Sequence, residues 1–206
     1  MKPLKQNFKK TKLKYISPAG NFYNPHEEEK LSKHLQYDIF AGEKFLSVLL
    51  DDENICPMLH PDNPAGAYFQ TELVEGSSCF RASIELVENE EAKVFTVRNV
   101  ADVLNRDIVS IHFSNNAVEV IHTDEKCEEV LYLADWDCES GELLDISVSV
   151  SKDCIEVVLG EDKIAINEGI EGYYWFNVGL VNSPVKTYNN LRIFRMSLEK
   201  EEEEEV

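Results

Sequence analysis

The sequence predicts an all-β fold, an antiparallel sandwich or barrel, on three observations. Apolar residues recur at every second position from Phe45 onward, turn signals interrupt the runs at close spacing, and strands do not alternate with helices. No repeat of fixed length is present, which argues against a propeller or solenoid.

The elements follow in chain order. Residues 1–24 contain Pro3, Pro18, Gly20 and Asn24 with little periodicity, and read as a basic arm crossing the surface. "NPHEEEKLSKHLQ" carries helix-start signals: Asn24 as N-cap, Pro25 at the first position and three glutamates in the first turn. Leu31 and Leu35 would form its narrow apolar stripe. Short strands are then predicted at 66–73, 92–97, 108–113, 117–122, 130–134, 175–181 and 191–198. "CFRASIELV" sets Phe80, Ala82, Ile84 and Leu86 against Arg81, Ser83 and Glu85. "LLDISVSVS" sets Leu144, Ile146, Val148 and Val150 against Asp145, Ser147, Ser149 and Ser151. Lys152-Asp153 turns that strand into "CIEVVL", Gly160 to Lys163 turns again into "IAI", and Ser114–Asn116 closes another hairpin. The expected organisation is a basic arm over 1–24, one sandwich domain over 25–198 and an acidic tail over 199–206. Neither tail carries an apolar stripe able to offset the entropy of ordering, so any order there needs a charged partner.

A chain of 206 residues suits one sizeable domain, and 43% hydrophobic with 10% aromatic residues fits a globular protein. No apolar run approaches the ~20 residues of a membrane-spanning helix. The formal charge is −19, yet residues 1–26 hold six lysines and no acid, so the body is more acidic still. Such a body is expected to repel nucleic acid and anionic membranes. Cys56, Cys79, Cys127, Cys138 and Cys154 are odd in number and form no C-x-x-C pair, which points to reduced thiols. Cys79 and Cys154 fall in strand-like runs and are expected to behave as small buried hydrophobes. The lysine-rich start has no apolar segment behind it, so a cytoplasmic location is expected.

Three stretches together resemble the concanavalin A-like lectin/glucanase superfamily: "GAYFQTELVEGSSCFRASIEL", "LLDISVSVSKDCIEVVLGEDKIAI" and "YYWFNVGLVNSPVKTYNNLRIFRM". The likeness lies in the strand–turn–strand of Val148–Ile164, the "VGL" strand at Val178–Leu180 and the closing "N-x-R-I-F" at Asn190–Phe194. The resemblance implies a two-sheet antiparallel jelly-roll β-sandwich, with one short N-terminal helix added by the reading above. It also implies that one sheet is concave and that glycans bind there; fold alone does not grant that activity.

Retaining glucanases of this superfamily carry E-x-D-x-x-E, whose carboxylates converge about 5 Å apart. "ELVENEE", Glu85 to Glu91, lacks the aspartate and runs into a turn. "DWDCESGE", Asp135 to Glu142, departs from a calcium loop, with Ser140 where the glycine belongs. His26, His34, His60, His112 and His122 show no metal-ligand spacing, and neither a serine elbow nor a phosphate loop is present. No metal or other cofactor is therefore expected. His112 falls on the strand face opposite Val109, Ile111 and Phe113, which reads as a wet position.

What remains is a ligand-binding reading: a non-catalytic module taking a glycan on the concave face. Trp136, Tyr132, Trp175 and Tyr173 would stack on sugar rings, with Asp135 and Asn177 as polar partners. An alternative is an intracellular structural or interaction protein that docks a protein partner through its lysine-rich arm. A third is a glycoside hydrolase or lyase with unrecognised carboxylates.

Overall fold

The structure is a computed structural model that describes residues 16–20, 35–40, 43–50, 65–88, 91–101, 107–114, 117–136, 141–183 and 189–200. Among them are fifteen strands: β1 (Ile16–Gly20), β2 (Leu35–Phe40), β3 (Glu43–Leu50), β4 (Ala65–Thr71), β5 (Val74–Glu75), β6 (Ser78–Glu88), β7 (Glu91–Asn99), β8 (Asp107–Ser114), β9 (Ala117–Thr123), β10 (Glu128–Asp135), β11 (Leu144–Val150), β12 (Ile155–Leu159), β13 (Asp162–Ile166), β14 (Tyr173–Ser183) and β15 (Asn189–Lys200). They form two antiparallel sheets. The first runs β1-β4-β14-β7-β8-β9-β10, with β5 paired to β14, and the second runs β13-β12-β11-β6-β15-β3-β2.

The alternation seen in the sequence makes this sandwich. Phe80, Ile84, Ile146, Val148, Ile155 and Ile193 of the second sheet meet Phe95, Val97, Ile111, Val120, Phe176 and Val178 of the first in one core. Two local meanders, β7 to β10 and β11 to β13, lie in opposite sheets. Apart from the β2–β3 hairpin and the step from β4 to β5, the remaining connections cross between sheets, as a jelly roll requires. At Gly160 the chain turns from β12 into β13 with φ of 59°, a conformation open to glycine at no steric cost.

Four expectations change. Ile16–Gly20, read as part of the arm, is a strand paired with β4, Pro18 standing opposite Phe69. Proline gives no N–H to a ladder, but an edge strand tolerates it. Leu35 and Gln36, the end of the expected helix, belong to β2, where Leu35, Tyr37 and Ile39 supply the alternation; the rest of that stretch lies outside the described residues. β15 continues to Lys200, held by ion pairs of Glu199 with Arg81 at 2.6 Å and Lys200 with Glu72 at 2.7 Å. Cys79 is only partly covered and points away from the core with its Sγ 3.4 Å from Ser147 Oγ, while Cys154 is exposed in the turn before β12. The strand signals around both thiols were real, but their parity is that of the outer face.

The segment after β13 returns across the β11–β12 turn, where Ile170 N donates to Ser151 O at 2.9 Å. A Cβ on Gly169 would overlap the backbone carbonyl of Lys152 and the oxygen of Ser151. Gly169→Ala is expected to cost about 1–3 kcal/mol, read as a lower thermal midpoint.

Candidate functional site

Strand alternation decides which side chains of the first sheet face away from the core. On β14, Tyr174, Phe176, Val178 and Leu180 are core residues, so Tyr173, Trp175, Asn177 and Val181 take the outer face. One row then crosses the sheet through Gln70 on β4, Asn177 on β14, Thr96 on β7, Ser110 on β8 and Ile121 on β9. Three members of that row are polar yet almost fully covered: Thr96 at 0%, Asn177 at 1% and Ser110 at 2% exposure.

Polar groups buried this deeply are normally paired. Asn177 Nδ2 donates to Thr96 Oγ1 at 2.9 Å, and Ser110 Oγ lies 3.0 Å from His112 Nε2. With the amide in this orientation, Asn177 Oδ1 has no donor among the described residues.

A charged cluster adjoins the row. Trp175 stands opposite Arg98, and Arg98 opposite Asp107. Arg98 Nε and Nη2 both reach Asp107 Oδ1 at 2.8 Å, and Lys93 Nζ lies 3.3 Å from Oδ2. One carboxylate thus holds two cations, each mostly covered. His112 pairs across the ladder with Lys93 on one side and Glu119 on the other. Burial, reinforced by the Lys93 charge and partly offset by Asp107, lowers its pKa to about 4. Its imidazole is therefore neutral at pH 7, rather than the freely wet side chain expected. Tyr68 on β4 points to the same face; burial raises its pKa first, with opposing smaller effects from Arg98 and Asp107, so the phenol stays protonated.

The six residues nominated from the sequence divide between two places. Tyr173, Trp175 and Asn177 share the outer face of β14, with Tyr173 exposed and its hydroxyl bonded to Glu75. Tyr132, Asp135 and Trp136 sit at the far edge on or just after β10, four strands away or roughly 19 Å at ~4.8 Å per strand. Trp136 packs edge-on against Phe113 with centroids 6.2 Å apart and joins the core. Tyr132 also packs on the core and donates its hydroxyl to Asp162 Oδ2 at 2.6 Å, tying β10 to β13 of the other sheet. Asp135 is exposed opposite Ala117.

Sequence reasoning missed Tyr68, Gln70, Lys93, Thr96, Arg98, Asp107 and Ser110. Bulges between Lys93 and Phe95 and between Val97 and Arg98 break simple alternation at Lys93 and Asp107, and for the others only the sheet order shows that their polar sides abut.

The remaining candidates do not form a second centre. Glu85 is paired with Arg192 at 3.3 Å on the second sheet, whereas Glu91 lies on the first, so the ends of "ELVENEE" are in different layers. Asp137 to Ser140, Cys56, His60 and the lysine-rich arm lie outside the described residues. Among the described residues no group of three His, Cys, Asp or Glu side chains could hold a metal, and no helix is long and apolar enough to cross a membrane.

No protein-family model and no curated protein matches the sequence. Solved structures do. The alginate lyase AlgAT5 of polysaccharide lyase family 7 superimposes with a TM-score of 0.62 at 13% identity, over 79% of this chain and 81% of that one. The alginate lyase from Alteromonas sp. 272 gives 0.56 at 10%, over 90% and 94%. A variant of the family 7 alginate lyase A1-II′ in complex with substrate gives 0.56 at 10%, over 81% of each chain. At these identities the likeness is one of fold: the chain is a concanavalin A-like jelly roll, with polysaccharide lyases as structural neighbours.

Proposed function

We propose that the outer face of the first sheet binds a polysaccharide. The observation that carries this reading is the covered polar row Asn177–Thr96–Ser110, in which Asn177 Oδ1 has no donor among the described residues. Polar groups of this kind suit a carbohydrate site, because each sugar hydroxyl must find a donor or acceptor when it leaves water. Gln70, Tyr68 and neutral His112 extend the row with groups that can both give and accept hydrogen bonds. Trp175, beside Arg98, offers a ring surface for a sugar face. The structural neighbours support the ligand class, since each acts on a polysaccharide.

Titration calorimetry against a panel of oligosaccharides tests the proposal. Asn177→Ala is expected to weaken binding about tenfold or more, equivalent to the ~1.4 kcal/mol that one well-made buried hydrogen bond can supply. Its stability should fall by only about 1 kcal/mol, the worth of the lost Thr96 bond. Equal affinity for the variant and the wild type would remove the row from the site.

A second reading is favoured by one observation. The neutral ring of His112 is in the state required of a proton acceptor, beside the cation Lys93. Elimination from a uronate chain, the chemistry of the neighbours' class, would use such a base. Ultraviolet absorbance from an unsaturated uronate end, produced from alginate by the wild type and lost in His112→Gln, would establish it.

A further inference from the structure

We infer that the polysaccharide taken by this face is neutral, unlike the acidic polymer on which the structural neighbours act. The inference rests on the proposed polysaccharide site and concerns its ligand class.

Charge on the face is the first argument. Among the described residues, its strands carry two cations, Lys93 and Arg98, and both are committed to Asp107. Glu119 stands beside His112, and Glu91 and Glu75 lie toward the ends of the same face, so acids outnumber bases. The neutral state of His112 adds no positive charge. A uronate polymer brings a carboxylate on every sugar, and a formal charge of −19 on the chain repels it before contact.

Hydrogen bonding is the second argument. Hydroxyls of either class can donate, but the carboxylate of a uronate only accepts, and the two cations of this face that could donate to it are held by Asp107.

The ligand class also bears on chemistry. A neutral sugar has no carboxylate to acidify the neighbouring C–H, so elimination is not open to it. Asp107, held by Arg98 and Lys93, is not a free carboxylate of the kind that hydrolysis uses.

The test uses the full chain at physiological salt, with neutral hexasaccharides (cellohexaose, laminarihexaose, mannohexaose and chitohexaose) against hexamannuronate and hexaguluronate. At least one neutral hexamer should bind tenfold or more tighter than either uronate. Glu119→Lys, which makes the face more positive without touching the buried row, should narrow that gap by raising uronate affinity. Tighter uronate binding by the wild type would overturn the inference and leave the polysaccharide site standing. Binding of neither class would overturn both.

Discussion

Phe176→Ala is expected to lower the unfolding free energy by about 3–5 kcal/mol, with no change in the fold of the chain that remains. Phe176 lies on β14, flanked in the sheet by β4 and β7, and is fully buried. Its ring stacks on Phe80 of the opposite sheet with centroids 5.3 Å apart and planes at 29°, and lies 6.0 Å from Phe95. Tyr174 meets it edge-on at 5.6 Å from the same strand. Truncation removes one of the ring contacts that join the two layers, leaving Phe80 against Phe95 at 5.5 Å. The space is slow to collapse, because the ladders on either side hold the strands apart and the Tyr174 hydroxyl is anchored by Gly76 O at 2.6 Å and Ser78 Oγ at 2.8 Å. For a domain of this size each kcal/mol moves the thermal midpoint by about 2–4 °C, so a drop of roughly 10 °C is expected. Phe176→Leu should cost well under half as much, since it leaves a smaller cavity. Denaturant titration reads both. A loss below about 1 kcal/mol for the alanine variant, or a changed denaturant slope, would mean that the layers are not joined here.

The strands were legible because each buries one face: "LLDISVSVS" and "CFRASIELV" announce β11 and β6 through alternation alone. β1 was hidden by Pro18, whose cost vanishes at a sheet edge, and β2 was hidden by helix-start signals upstream that local sequence cannot weigh against a distant pairing partner. The site was less legible for a related reason. Alternation told which side of each strand is polar, and so separated Tyr173, Trp175 and Asn177 from Tyr174 and Phe176. It did not tell that Thr96 and Gln70 lie beside Asn177, with Ser110 next beyond Thr96, because that neighbourhood is made by β14 inserting between β4 and β7 from more than seventy residues downstream. Trp136 illustrates the converse. An isolated tryptophan in an acidic loop reads as a ligand platform, but proximity to Phe113 turns its ring into the core's edge.

Stability should fall as pH drops from about 6.5 to about 4, and His112 should account for a separable part of that fall. In the unfolded chain the imidazole takes a proton near its ordinary pKa of about 6.5, whereas in the fold it does so only near 4. Between those values the unfolded state binds the extra proton, so acidification favours unfolding; above about 6.5 the penalty is absent, and below about 4 it grows no further. At ~1.4 kcal/mol per unit, the displacement is worth roughly 2–4 kcal/mol at the acid end of the window. Burial is the leading cause, followed by Lys93, while Asp107 acts in the opposite sense. Lys93 and Asp107 face the ring from β7 and β8, and Glu119 is its ladder partner on β9. Other groups also titrate on the way to pH 4, so the decisive quantity is the difference between wild type and His112→Gln across the window. The variant should lose the His112 component and show a flatter curve between pH 6.5 and 4. Lys93→Met should keep part of the slope but shift its acid limit upward, because removing the cation lets the imidazole protonate sooner. Parallel curves for wild type and His112→Gln would show that the ring is reached by water, and the lowered pKa on which the second reading of this face draws would have to be given up.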